Sequence, residues 1–131
     1  MIYSYSSGIH IAKGGIMAKI LVIDDYPTIR RIITCFLDRE HEVIAVSNGD
    51  EAVRMFQTKC FDLLIADVEI PDAMSGVMAG RILKDQFPSL KVIMMSGYPL
   101  SLEEYPFADN VITKPFRQTE LALLVRTTLG G

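Results

Sequence analysis

Four uninterrupted apolar blocks, at 20–23, 43–46, 63–66 and 92–95, recur along this chain with helical patterns between them. That repetition limits the fold more than any other feature. A strand with one wet face alternates apolar and polar residues. A continuous apolar block suits a strand covered on both faces, as in a parallel sheet. A fifth, shorter block lies at 111–112. The third is the most telling: Phe61-Asp62-Leu63-Leu64-Ile65-Ala66 ends abruptly in the carboxylate of Asp67. The first, Ile20-Leu21-Val22-Ile23, ends in two, Asp24 and Asp25.

The segments between the blocks have helical spacing. Ile29, Ile32, Ile33, Phe36 and Leu37 predict an amphipathic helix over 27–39, with Pro27 in its first turn. Asn48 can cap the next helix, with Glu51 three residues on, and Ala52, Val53 and Phe56 then face inward. A third helix over 77–87 runs through Ala79, Ile82 and Leu83 and is stopped by Phe87-Pro88. The last, over about 117–129, buries Leu121, Leu124, Val125 and Leu129. Between the fourth and fifth strands, Pro99 and Pro106 leave only 100–105 for a helix. Ser101 and Glu104 have capping-box spacing there, so one to two turns are expected. The chain is therefore expected to be α/β, a single five-stranded parallel sheet wound on both sides with a shortened fourth helix.

With 131 residues, half of them apolar, the chain fits one compact domain with a full core. A net charge of −3 argues against a nucleic-acid surface, so no direct nucleic-acid contact is expected. No stretch approaches the roughly 20 apolar residues of a membrane span. Two cysteines, Cys35 and Cys60, are too few for a disulfide framework, which makes the cytoplasm the expected compartment. No zinc spacing is present. Residues 1–18 stand apart as polar and turn-rich, without the plan of a signal peptide. Met17-Ala18-Lys19 resembles a natural start, and the preceding residues are expected to be a loose extension: an upstream start, an expression remnant or a short interaction tail. The domain proper is expected over 19–131.

In such sheets ligands sit beyond the carboxyl ends of the strands, where strand order reverses. Asp24 and Asp25 follow the first strand, Asp67 ends the third, Ser96 ends the fourth and Lys114 follows the fifth. Three carboxylates in one site repel, and a magnesium ion, which prefers oxygen ligands, removes the conflict. Lys114 adds an ammonium and Ser96 a hydroxyl. One carboxylate nucleophile, a hard-cation site, an ammonium and a hydroxyl suit transfer of a phosphoryl group onto Asp67. Taken singly, each signal has a plainer explanation. An Asp at a strand end is often a helix cap, as Asp25 before Pro27 could be, and Lys114-Pro115 or Ser96-Gly97 alone is a common turn. It is their conjunction at one sheet edge that points to chemistry.

Residues 19–129 resemble a response-regulator receiver domain of two-component signalling, with a chemotaxis-regulator-like fold. The resemblance rests on Ile20-Leu21-Val22-Ile23-Asp24-Asp25-Tyr26-Pro27-Thr28-Ile29-Arg30-Arg31-Ile32-Ile33, on Asp67 with Pro71 four residues on, on Met94-Met95-Ser96-Gly97-Tyr98 and on Lys114-Pro115-Phe116. It implies a flavodoxin-like strand order 2-1-3-4-5. It implies that Asp67 takes phosphate from a phosphohistidine on a sensor histidine kinase or a histidine phosphotransfer protein. It also implies that Asp25, Asp67 and the backbone carbonyl of Glu69 bind magnesium or manganese, with Asp24 acting through water. Ser96 and Lys114 would grip the phosphoryl oxygens, and the Lys114-Pro115 peptide would be cis.

Three departures from the family pattern are visible. Gly76 lies nine residues after Asp67 where eight is usual, so the loop is expected to bulge beside the metal. In that loop Glu69 is expected to influence dephosphorylation. Val111 stands where an aromatic switch residue is common, and it is too small and too stiff at χ1 to swing. The short fourth helix removes part of a common output surface, for which Tyr98, Tyr105 and Phe107 are candidate substitutes, though surplus core aromatics explain them as well. Phosphorylation is thus expected to reorganise 96–106 by ordering a loop. With no DNA-binding helices after Leu129, output is expected through an unknown protein partner. Two rival readings are an aspartyl-phosphate phosphatase, with Glu69 loosely matching the second acid of a D-x-D pair, and a phosphorylation-independent scaffold of the same fold.

Overall fold

A computed structural model describes residues 10–12, 15–71 and 73–130. The sheet consists of β3 (Lys19–Ile23), β4 (Glu42–Val46), β5 (Leu63–Asp67), β6 (Lys91–Ser96) and β7 (Asn110–Thr113). All neighbours pair in parallel, in the order β4-β3-β5-β6-β7. This is the expected 2-1-3-4-5 arrangement. Among the described residues four α-helices cover it: α1 (Pro27–Leu37), α2 (Gly49–Met55), α3 (Gly76–Gln86) and α4 (Gln118–Thr128).

The apolar blocks are continuous because the sheet has a core on each side. Leu21 and Ile23 of β3, Leu64 and Ala66 of β5, and Val92 and Met94 of β6 join one cluster, with Ala52 of α2 and Ala79 and Leu83 of α3. Their alternates Ile20, Val22, Leu63, Ile65, Ile93 and Met95 join the other, with Ile33 and Leu37 of α1 and Leu121 and Val125 of α4. Successive side chains of a strand point to opposite faces, so a strand covered by helices on both faces needs apolar residues at every position.

Two expectations change. Ile32 is 40% exposed, although it matches the helical spacing. It lies about 100° of helix rotation from Ile33, at the outer edge of the stripe centred on the seam with the sheet. The stretch expected to be a loose extension also contains a short antiparallel ribbon. In it β1 (His10–Ala12) pairs with β2 (Gly15–Met17) in the register His10↔Met17, Ile11↔Ile16 and Ala12↔Gly15. The expectations for residues 1–9, 13 and 14 lie outside the described residues.

The short connection between β6 and β7 forms as expected. Leu102–Glu104 is a single 3-10 turn, closed by a capping box between Ser101 and Glu104. The α2 cap also forms. Asn48 accepts the Glu51 N–H at 3.0 Å, while the Glu51 carboxylate reaches back to the backbone N–H and hydroxyl of Ser47.

Candidate functional site

The strand registers bring the site together. Ile23 pairs with Ala66, Asp67 with Met95 and Ser96 with Thr113. Asp24, Asp67, Ser96 and Lys114 therefore all emerge at one carboxyl edge. The Lys114 N–H donates to the Ser96 carbonyl at 2.7 Å, continuing the ladder one residue past β7. The Lys114-Pro115 peptide is cis.

Asp24 and Asp67 are buried, and Asp25 is half-buried beside them. One carboxylate oxygen from each lies within 4.8 Å of the other two. The Lys114 ammonium spans two of the acids, at 3.0 Å from Asp24 Oδ2 and 3.2 Å from Asp67 Oδ2. Asp24 Oδ1 accepts the Tyr26 N–H at 2.9 Å, so Asp24, not Asp25, supports the start of α1. Oδ1 of Asp25 is buried and accepts no hydrogen bond. Three clustered carboxylates, two of them ion-paired to one ammonium, leave an excess of negative charge, and the third, Asp25, has an orphaned buried oxygen. A hard divalent cation with oxygen ligands fits both facts.

Ser96 is buried at the site, but its hydroxyl is turned to Glu69, donating to Oε1 at 3.2 Å. The Gly97 N–H donates to the same oxygen at 3.0 Å, and the Tyr98 N–H donates to Ser96 Oγ at 3.1 Å. The Glu69 N–H caps Asp67 Oδ1 at 3.0 Å. The glycine nine residues after Asp67 has a steric reason. Gly76 opens α3 where any Cβ would overlap the Asp67 carbonyl oxygen. Asp72, within the extended loop, lies outside the described residues. Val111 is half-buried against the α2–α3 cluster, with Tyr105 and Phe107 packed on the same side.

The family model described as a response regulator receiver domain matches residues 20–126. This chain belongs to the response-regulator receiver family. The heme response regulator HssR of Staphylococcus saprophyticus is 31% identical over 117 residues, covering 86% of this chain and 52% of that protein. The alkaline phosphatase synthesis transcriptional regulatory protein PhoP of Bacillus subtilis is 29% identical over 116 residues, covering 85% and 48%. The receiver thus spans about half the length of the curated relatives it matches. Among solved structures, the response regulator TrrA of Thermotoga maritima, in complex with Mg(2+)-BeF, superposes with a TM-score of 0.76 at 30% identity, covering 84% of this chain and 97% of that one. The beryllofluoride-activated DrrB receiver domain gives 0.77 at 27% identity, covering 88% and 99%. Receiver domains of this family are signalling modules with a phosphoacceptor role in two-component systems.

The electrostatics of this receiver follow from its geometry. Burial pushes the Asp67 carboxyl above its ordinary range. The Glu69 N–H and the Lys114 ammonium pull it back without cancelling the rise, and the Asp24 charge adds to it. Burial alone would lower Lys114, but the bond to Asp24 and the charges of Asp24 and Asp67 outweigh it and hold the ammonium more firmly than usual. Two participants were not singled out from sequence. Arg30 donates from Nη1 to the Asp24 carbonyl at 2.8 Å, pinning the acidic turn, and Gly97 supplies an N–H beside Ser96. The signal for Arg30 was its place one helical turn into α1, five residues after Asp25.

Proposed function

We propose that Asp67 is the phosphoacceptor and that a phosphohistidine on a sensor histidine kinase or histidine phosphotransfer protein is the donor. The observation that carries this is the buried Asp67 at the end of β5, ion-paired to Lys114 within a cluster of three acids. An Asp67 carboxylate oxygen forms the new bond to phosphorus as the phosphorus–nitrogen bond breaks. The electron pair stays on the imidazole, which takes up a proton. Lys114 shields charge on the transferred oxygens, and Ser96 donates to one of them.

Asp24, Asp25, Asp67 and the Glu69 backbone carbonyl would hold magnesium or manganese, with Asp24 acting through water. The bound ion would neutralise charge on the acids and the phosphoryl oxygens. Slow hydrolysis of the aspartyl phosphate at the same site resets the module. The receiver unit is taken as 19–131, working in the cytoplasm through protein contacts. No described helix is long and apolar enough to cross a membrane. The phosphatase reading is weaker, because the Glu69 carboxylate that would serve as acid/base is engaged by Ser96 and Gly97.

The test is incubation with acetyl phosphate and magnesium followed by intact-mass measurement. A phosphate-sized gain is expected, abolished in Asp67→Asn. A gain that persists in Asp67→Asn places the acceptor elsewhere.

A further inference from the structure

Of the two side chains read as gripping a phosphoryl group on Asp67, Ser96 is already engaged within the chain, and the neighbouring Gly97 N–H is engaged by the same residue. Ser96 has one hydroxyl proton, directed at Glu69 Oε1 at 3.2 Å. The acceptor side of that hydroxyl takes the Tyr98 N–H at 3.1 Å, which helps fix the proton's direction. Gly97 has one amide proton, and it goes to the same Glu69 oxygen at 3.0 Å. Neither group has a second proton to offer. Both sit at the end of β6, one and two residues past Met95, the register partner of Asp67.

We infer that Glu69 is a built-in occupant of the phosphoryl-oxygen subsite, which must be expelled each time Asp67 is phosphorylated. The inference rests on reading Asp67 as the acceptor and Ser96 as a phosphoryl ligand. Chemically the substitution is like for like. A carboxylate oxygen and a phosphoryl oxygen are both anionic acceptors and make the same charge-assisted bonds to an O–H and an N–H. They do not coexist, because a phosphoryl group brings roughly 1.5 to 2 negative charges next to the carboxylate while needing its donors. The exit is short. Glu69 is exposed, and its backbone stays tied to Asp67 Oδ1, so only side-chain torsions need to change.

The occupant gives this receiver two arrangements of one loop. Before phosphorylation, Glu69 ties the loop after β5 to the end of β6. Afterwards the phosphoryl group makes that tie, and the carboxylate is released. The Tyr105 phenol is raised above its usual range mainly by burial, with the charges of Glu104, Tyr98 and Glu69 adding to it. With valine at 111, the moving charge of Glu69 takes the place of a moving ring. It also sets a threshold, since every phosphoryl donor works against the internal competitor.

The experiment compares wild type, Glu69→Gln and Glu69→Ala in two measurements. The first is binding of the magnesium–beryllofluoride mimic, followed by NMR. Glu69→Ala is expected to bind on the order of tenfold more tightly, the equivalent of one to two hydrogen bonds recovered, and Glu69→Gln by a smaller factor. The second is solvent exchange of the Gly97 amide in the metal-free protein, which is expected to quicken in Glu69→Ala. If wild type binds the mimic and Glu69→Ala binds it no better, the occupant is refuted and the phosphoacceptor reading stands. If none of the three binds it, the phosphoacceptor reading falls and this inference falls with it. Equal gains in both variants with Gly97 exchange unchanged would mean bare charge repulsion, which also overturns the proposal.

Discussion

Among the described residues Lys114 is the one cation ion-paired to the cluster of three acids, and the stability of the site follows from that imbalance. Its ammonium is the ion-pair partner of buried Asp24 and Asp67, at 3.0 and 3.2 Å. Removing one partner of a buried pair leaves the others uncompensated in a poor solvent, at a cost of about 3 kcal/mol. Lys114→Ala should therefore lower the unfolding free energy, read from urea titration in metal-free buffer, by that order. Magnesium should return part of the loss, because a ligand bound only by the folded state stabilises it. A variant as stable as wild type without metal would show that the acids are not held against mutual repulsion. At this scale the sequence was informative about what each side chain is and poor about where it points. Asp67, Asp24, Ser96 and Lys114 could be placed because strand ends fix them to one edge. The engagement of Ser96 by Glu69 could not, because it depends on the torsions of a flexible, exposed side chain two residues beyond the strand.

Among the described residues, the segment between β6 and β7 is the one strand-to-strand connection of the sheet without an α-helix. It holds one 3-10 turn, and Tyr105 and Phe107 pack against the α2–α3 cluster while Tyr98 stays exposed. Tyr105 meets Phe107 edge to face at 6.3 Å between centroids, and Arg81 lies over the Phe107 ring at 5.7 Å. A Cβ on Gly80 would come within 2.7 Å of Phe107 Cε1. Gly80→Ala should therefore push the ring off α3, destabilising by about 1–3 kcal/mol as overpacking does, despite the better helix propensity of alanine. Thermal denaturation checks this, and an unchanged or raised midpoint would mean the ring yields freely. The same segment should respond to phosphorylation. Amide exchange across 96–106 is expected to slow when the beryllofluoride mimic binds. No change there would mean that the state of Asp67 does not reach this loop. The short turn was legible because Pro99 and Pro106 bound it and the capping pair is local. The β1–β2 ribbon was not, because three-residue strands are too short to carry a periodic signal.

Over the whole molecule, the topology was legible because both-sided burial forces continuous apolar blocks, and five such blocks with helices between them leave few alternatives. What the blocks do not specify is how the entry to the sheet is fastened. Ala18 is buried just before β3, and its N–H donates to Nδ1 of His41, at 3.1 Å, just before β4. Only a neutral imidazole can accept that bond. Burial lowers the His41 pKa, the Glu40 carboxylate opposes the shift, and Arg126, which pairs with Glu40 across α4, adds to it. A histidine whose folded pKa lies below its unfolded value binds fewer protons when folded. Its stabilising contribution is complete above the unfolded pKa and is lost as pH falls from there through the folded pKa. The receiver should therefore lose stability on acidification from neutrality, beginning near pH 6.5 and levelling off below the lowered folded value. His41→Asn, whose side-chain oxygen can accept the same N–H without titrating, should flatten that part of the profile. Urea midpoints at pH 7.5, 6.5 and 5.5 for both proteins test this, and parallel profiles would show that the entry to the sheet is fastened by something other than His41.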